Sequence, residues 1–358
     1  SADGGEDRNV IIGKDAGSLI NHDNADNNII IGENAGEGGT GELKKCVVIG
    51  KDAMNSTAAN NMNGAVAIGY QALTDLTSGT ENTAVGYQAG KEISSGDKNT
   101  GLGYNALAGT SVAAAYGDNN TAVGYNALTK IDYNSNSNTA VGSNAGASLT
   151  QGGANAILGY SALAQYAGYT ANDNPHRNIA IGYESMGVFA KSGAGTDARL
   201  EDNIAIGYQA FKGADLGANP TSTHTKNIAI GNYALDATGT NSVTAIIAIG
   251  HQAFSGLTTG VQNTAIGYQA GRTTSTGARN TFLGYEAGED TTGGSDNTYL
   301  GNRAGGDHTG TYNTFVGSNA GSGVSGGSSN GGSNTAVGYN ALTALTSGGS
   351  NVAIGTNA

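Results

Sequence analysis

The chain has one cysteine, two prolines and no tryptophan in 358 residues, and charged residues make up only 12% of it. Each scarcity closes a class of protein. A lone cysteine, Cys46, excludes an intrachain disulfide framework. Its neighbours Val47 and Val48 are apolar, so a buried structural thiol is expected; an interchain bridge about a symmetry axis is the other reading. The formal net charge is −12, and there is no basic stripe to neutralise phosphates, so no nucleic-acid partner is expected. No run approaches the ~18 apolar residues of a membrane helix, so this segment is not expected to insert into a membrane. Sustained heptads and long amphipathic stretches are missing too, which leaves an all-β chain with short strands.

Catalytic patterns are equally scarce. The five histidines, His22, His176, His224, His251 and His308, are scattered without ligand spacing. There is no His-Glu-x-x-His, no paired cysteine, no P-loop, no dinucleotide fingerprint and no Gly-Gly-x-Gly-x-Asp calcium repeat. Loop aspartates such as Asp23, Asp26, Asp290, Asp296 and Asp307 read as solvated charge, with an occasional calcium ion as the alternative. The expectation is a non-enzyme without cofactor or metal site.

What is abundant is glycine, 61 residues, and it recurs in register. Asn82-Thr83-Ala84-Val85-Gly86-Tyr87-Gln88-Ala89-Gly90 returns as Asn263-Thr264-Ala265-Ile266-Gly267-Tyr268-Gln269-Ala270-Gly271, and in weaker form throughout. Aligned on the first glycine, nineteen copies run from Gly13 to Gly355; 342 residues over eighteen intervals is a mean of 19. One short strand per ~20 residues is the signature of a stacked-repeat architecture. The fixed period also argues against disorder, which the low hydrophobicity alone would suggest.

With the glycine as position zero, −1 is Ile, Val or Leu in every copy. Position +3 is alanine except at Ser185, and −4 is asparagine except at Cys46, Ala65 and Ile246. The segment −3 to −1 reads as a strand, so −3 and −1 share one face and −2 has the other. The strictly aliphatic −1 is expected to point into the core of the coil. Position −2 is then expected on the opposite flank, as an oligomer interface along the rod: Ile11, Ile30, Val48, Ala84, Ala122, Ala205, Ala265, Phe282, Tyr299 and Phe315. The alternative is that −2 packs against a wall of its own coil. Glycine at zero suits a turn that a Cβ would penalise, and asparagine at −4 suits an amide ladder from coil to coil.

Threonine at −3 in nine copies raises an ice-binding reading. A threonine sharing its face with an inward −1 would not offer the exposed hydroxyl–methyl array that ice requires. Tyrosine at +1 in ten copies reads as cross-coil aromatic packing on a half-exposed face, with a sugar- or ligand-binding ladder as the alternative.

Residues 1–8 are a polar lead-in, and 9–358 read as a single solenoid domain. Long spacings fall between +4 and the next −4, giving insertion loops at about 164–177, 187–202 and 212–226. Same-phase insertions on adjacent coils emerge side by side, so Tyr166, Tyr169, His176, Phe189 and His224 form a candidate binding face. Tolerated decoration is the competing reading. The chain begins without methionine, which reads as a processed or excised product. It stops at motif position +3 without a polar cap, so either the natural chain continues or copies stack head to tail into a filament.

The core Asn227-Ile228-Ala229-Ile230-Gly231-Asn232-Tyr233-Ala234 resembles the head repeats of YadA-like trimeric autotransporter adhesins, which also occur in phage tail fibres and other surface fibres. The likeness runs the whole chain, although coils here are longer and no neck, stalk or barrel anchor is visible. It implies a left-handed parallel β-roll of about nineteen coils, packed as a homotrimer at the cell or virion surface. The implied role is an extracellular surface fibre or adhesin head that attaches to a surface receptor or matrix. Two alternatives stay open, a phage tail-fibre receptor-binding segment and a head-to-tail extracellular filament subunit. No family binding residue maps onto this sequence.

Overall fold

The structure is a computed structural model. It describes residues 8–18, 25–38, 42–57, 61–109, 117–132, 135–167, 175–190, 199–213, 223–238, 242–323 and 329–358. All described regular structure is β; no helix occurs among these residues. The chain divides into two compact units, Ser1–Gly168 with Asn174–His176, and Tyr169–Asp173 with Arg177–Ala358. Each is a parallel β-solenoid in which one three-residue strand per turn stacks on the next.

In the first unit the ladder runs from Val10–Ile12 through Ile29–Ile31, Val47–Ile49, Val66–Ile68, Thr83–Val85, Thr100–Leu102, Thr121–Val123 and Thr139–Val141 to Ala156–Leu158. In the second it runs from Ile179–Ile181 through Ile204–Ile206, Ile228–Ile230, Ile247–Ile249, Thr264–Ile266, Thr281–Leu283, Thr298–Leu300, Thr314–Val316 and Thr335–Val337 to Val352–Ile354. Every pairing sets motif position on motif position, so Ala265, Phe282, Tyr299, Phe315 and Ala336 form one column. Insertions of variable length do not disturb this register, because they leave the coil between +4 and the next −4. They also add smaller parallel sheets: Arg199–Glu201, Thr223–Thr225 and Val243–Thr244 pair in one, and Leu43–Lys44 with Met62–Asn63 in another.

Two devices close each turn. The first is backbone geometry. Residues at −5, +2 and +4 sit in the left-handed region, for example Asp296, Arg303 and Gly305 with φ of 59°, 53° and 61°. Asn, Asp and Gln dominate +2, as short polar side chains there tolerate that conformation. The motif glycine is more extreme. At Gly301 φ is 138°, and an added Cβ would stand 2.5 Å from the carbonyl oxygen of Gly317 on the next turn.

The second device is the asparagine ladder at −4. The Asn280 Oδ1 accepts from the backbone N–H of Asn297 at 3.0 Å and from its Nδ2 at 3.1 Å. The Asn297 Nδ2 also donates to the Gly310 carbonyl at 2.9 Å. The same pattern continues at Asn313, Asn334 and Asn351. In the first unit it runs through Asn82, Asn99, Asn120, Asn138 and Asn155. These amides are buried, apart from the half-buried Asn351 of the last turn, so each turn satisfies polar groups that its neighbour leaves open. At Cys46 the ladder loses its amide: the backbone N–H still donates to Asn28 Oδ1, and the thiol turns to the Lys44 carbonyl. Burial pushes that thiol up to about 11, which makes it inert.

The interior inverts the expected facing of the strand. Position −2 is buried inside its own coil, and −3 and −1 face outward. The core is built mainly from −2, +3 and +4, joined at +7 by Leu76, Ile93, Ile131, Leu149 and Leu257. Its volume is shared reciprocally between −2 and +4: Phe282, Tyr299 and Phe315 lie over Gly288, Gly305 and Gly321, whereas Ala205 and Ala248 accompany Phe211 and Phe254. Phe282, Tyr299 and Phe315 stack at centroid distances of 5.1 and 5.0 Å. The one exception to alanine at +3, Ser185, is buried and donates its hydroxyl to the Ala205 carbonyl at 2.8 Å.

Candidate interaction face

The residues named from sequence as an oligomer interface therefore lie in the wrong place for that role. Ile30, Val48, Ala84, Ala122, Ala205, Ala265, Phe282, Tyr299 and Phe315 are buried within one chain and have no surface to give a partner. Of the ten, only Ile11 stays open to solvent, in the first described turn. Alternation along a strand is confirmed, but its sign is reversed.

That reversal exposes the stricter column. Position −1 is aliphatic in every copy, and its side chains point outward: Ile12, Leu102, Leu158, Leu283 and Leu300 are all more than 40% exposed. Beside it runs −3, which is Ile, Val, Thr or Ala and is charged in no copy. Within each unit these two columns form a regular apolar face, with turns about 4.8 Å apart. The columns also change character together. Ile or Val fills −3 from Val10 to Val66 and again from Ile179 to Ile247; threonine fills it from Thr83 to Thr139 and from Thr264 to Thr335. The threonine column is thus outward, contrary to the premise used against ice binding. The branched Ile and Leu beside it still break the level hydroxyl–methyl array which that reading needs.

Charge is kept off this face. It lies in cross-turn ion pairs at other motif positions, such as Arg177–Asp202 and Arg279–Asp296, each with a closest contact of 2.6 Å. Hydrogen bonds from these arginines hold Asp202 and Asp296 below the usual carboxylate range.

Next to the face, at +1, the tyrosines form ladders. Tyr70, Tyr87, Tyr104 and Tyr125 stack at 5.2, 5.1 and 5.2 Å between ring centroids. In the second unit Tyr183 stacks on Tyr208, and His251, Tyr268 and Tyr285 stack in turn. Because the faces of these rings lie on one another, they present edges and hydroxyls to solvent. They are therefore not flat platforms for a sugar ring. Amides at +2 run alongside, with the Gln88 Nε2 donating to Gln71 and the Gln269 Nε2 to Gln252, both at 2.7 Å.

Comparison of the chain with protein-family models, with curated proteins and with solved structures finds no match. The functional reading therefore rests on the geometry.

Of the loop residues expected to form a binding face, the structure describes the surroundings of two, His224 and His176. His224 is buried, edge-on to Phe211 at 5.9 Å, and burial pulls its imidazole down to about 4. His176 bridges to Gly153, whose amide donates to its Nδ1 at 3.0 Å. Tyr166 and Phe189 fall in the short strands Gln165–Ala167 and Val188–Ala190, whose side chains are outside the description. Tyr169 lies outside the described residues. Among the described residues no group of three or more His, Cys, Asp or Glu is placed to hold a metal ion, and no helix is long and apolar enough to cross a membrane.

Sequence reasoning missed the outward −1 column. The signal that reveals it was present: large residues at −2 coincide with glycine at +4 in five of seven copies, Val48 with Met54 and Ile157 with Leu163 being the exceptions, and small ones mostly with Leu, Met or Phe. Two positions that trade volume share one interior.

Proposed function

We propose that this chain is a structural segment of an extracellular surface fibre or adhesin head, a left-handed roll of about nineteen turns that associates with two further copies through its −3/−1 face. The observation that carries this reading is the outward −1 column. An exposed position that stays aliphatic through every copy is not explained by the fold of one chain, whose core is already filled by −2, +3 and +4. Contiguous apolar surface of more than a few hundred Å² marks an interaction site on soluble proteins. A second copy of the same chain suits it, since a uniform, uncharged, repeating face is complementary to itself and a symmetric assembly uses one patch many times. The resemblance to trimeric adhesin heads supports three as the number.

Size-exclusion chromatography with light scattering tests this. The wild type is expected at the mass of three chains. The variant Ile206→Lys/Ile230→Lys places two charges on adjacent turns of the face without entering the core. It is expected as single chains with an unchanged circular dichroism spectrum. A wild type that runs as single chains at micromolar concentration overturns the assembly.

A further inference from the structure

We propose that the tyrosine ladder at +1 is a site of oxidative cross-linking, at which neighbouring phenols of one chain couple into dityrosine and staple one turn to the next. Five pairs have the required geometry: Tyr70–Tyr87, Tyr87–Tyr104, Tyr104–Tyr125, Tyr183–Tyr208 and Tyr268–Tyr285. Their centroids lie 5.1 to 5.2 Å apart, and their planes are within 25° of parallel. All eight rings are between 37% and 52% exposed, so an oxidant reaches them and each ring has room to turn on its side-chain bonds. The pairing is fixed by the strand register and not by chance approach, since position +1 of each turn stands over +1 of the next.

The chemistry needs a one-electron oxidant, supplied here by hydrogen peroxide and a haem peroxidase. Each of two phenols gives up one electron and its hydroxyl proton to become a phenoxyl radical. The radicals join ortho carbon to ortho carbon, and each of those carbons then passes its hydrogen back to restore the hydroxyl. Two tyrosines and one peroxide yield one dityrosine and two waters. A radical formed on Tyr87 already has a partner ring in van der Waals range on the next turn of its own chain, whereas a ring on an unassociated chain must arrive by diffusion. At micromolar protein the effective concentration of the tethered partner, millimolar or more, favours coupling within the chain.

The sequence carries its own control. Tyr339 and Tyr312 are at least as exposed as the ladder residues, at 53% and 64%. The turns next to Tyr339 place Ser318 and Thr356 at +1, so it has no tyrosine to stack on. The inference does not depend on self-association, because every pair belongs to one chain.

The test treats the full chain at micromolar concentration with peroxidase and hydrogen peroxide. It reads dityrosine fluorescence, mobility on a denaturing gel and cross-linked peptides by mass spectrometry. Expected are a fluorescent band at monomer mobility and peptides joined at the five pairs, each lighter by two hydrogens. The variant Tyr87→Phe/Tyr104→Phe removes both disjoint pairs of the first unit and leaves Tyr183–Tyr208 and Tyr268–Tyr285. It should keep its fold and lose roughly half of the fluorescence, two of four disjoint pairs. Coupling that appears only in bands of two or more chains, joins Tyr312 or Tyr339 as readily, or does not occur at all overturns the proposal.

Discussion

Gly301→Ala is expected to unfold the turns around it, at a cost of about 2–6 kcal/mol. The range adds about 1–3 for a non-glycine residue held in a glycine-only backbone region to about 1–3 for forcing atoms into filled space. At φ 138° an added Cβ meets the carbonyl carbon and oxygen of Gly317, which are backbone atoms and cannot rotate away. Relief requires the two turns to separate. Separation strains the bonds from Gly301 N–H to the Leu283 carbonyl and from Gly317 N–H to the Leu300 carbonyl, at 2.9 and 2.8 Å. A solenoid divides its stability among turns and their interfaces, so the loss should be local. Amide hydrogen exchange should show lost protection from about Leu283 to Val316, with turns of the first unit unchanged. Protection equal to wild type across that stretch would mean that the motif glycine is not needed for close stacking.

Asn297→Ala is expected to cost a similar amount through a different route. The side chain supplies the acceptor for the backbone N–H of Asn313 at 2.9 Å and the donor for the Gly310 carbonyl at 2.9 Å. Both groups are enclosed in the intact chain. An unpaired buried polar group costs about 1–3 kcal/mol, so two give about 2–6. Asn297→Asp should do at least as much harm while its carboxyl is charged, since it keeps the acceptor but sets a buried carboxylate oxygen against the Gly310 carbonyl and Asn280 Oδ1, the two acceptors that the amide served. Thermal melts of Asn297→Ala and Asn297→Asp at neutral pH test both expectations. If Asn297→Ala melts with the wild type, the amide column is not a source of stability. Ala65 and Ile246, which stand at −4 in other turns, show that the ladder tolerates gaps; the Ile246 backbone N–H still donates to Asn227 Oδ1.

Much of this architecture is legible in the residues. The recurrence of Asn-x-Ala-Ile-Gly fixes one short strand per turn, and parallel register follows from identical motifs stacking on one another. Asn280, Asn297 and Asn313 do form the amide column expected of them, Cys46 is the buried thiol, and the tyrosines at +1 do pack across turns. The facing of the strand was not legible from alternation. A strand with Val85 and Ala84 on its two faces is apolar on both, so period two states which residues travel together without saying which pair is inside. Bulk misleads here, because the larger side chain was taken as the core. The coil is narrow: most turns place a single large residue at −2 or +4, and the aliphatic −1 faces outward. His224 was misread for a related reason. Its position in an insertion suggested a loop, whereas Thr223–Thr225 pairs in parallel with Arg199–Glu201 and turns the imidazole inward.

The most direct measurement is a double-mutant cycle on Phe282 and Gly288, read as thermal or denaturant stability. Phe282→Ala should destabilise by leaving a cavity, and Gly288→Leu by driving a side chain into the ring of Phe282, whose atoms lie 2.9 Å from the glycine's virtual Cβ. Together they recreate the Ala122/Leu128 and Ala229/Leu235 turns of the same chain, whose leucines adopt φ of 47° and 54° against 60° at Gly288. An inward −2 sharing one cavity with +4 predicts that the double variant is more stable than either single one. Additive losses, or a harmless Phe282→Ala, would contradict it and return position −2 to the outside of the coil.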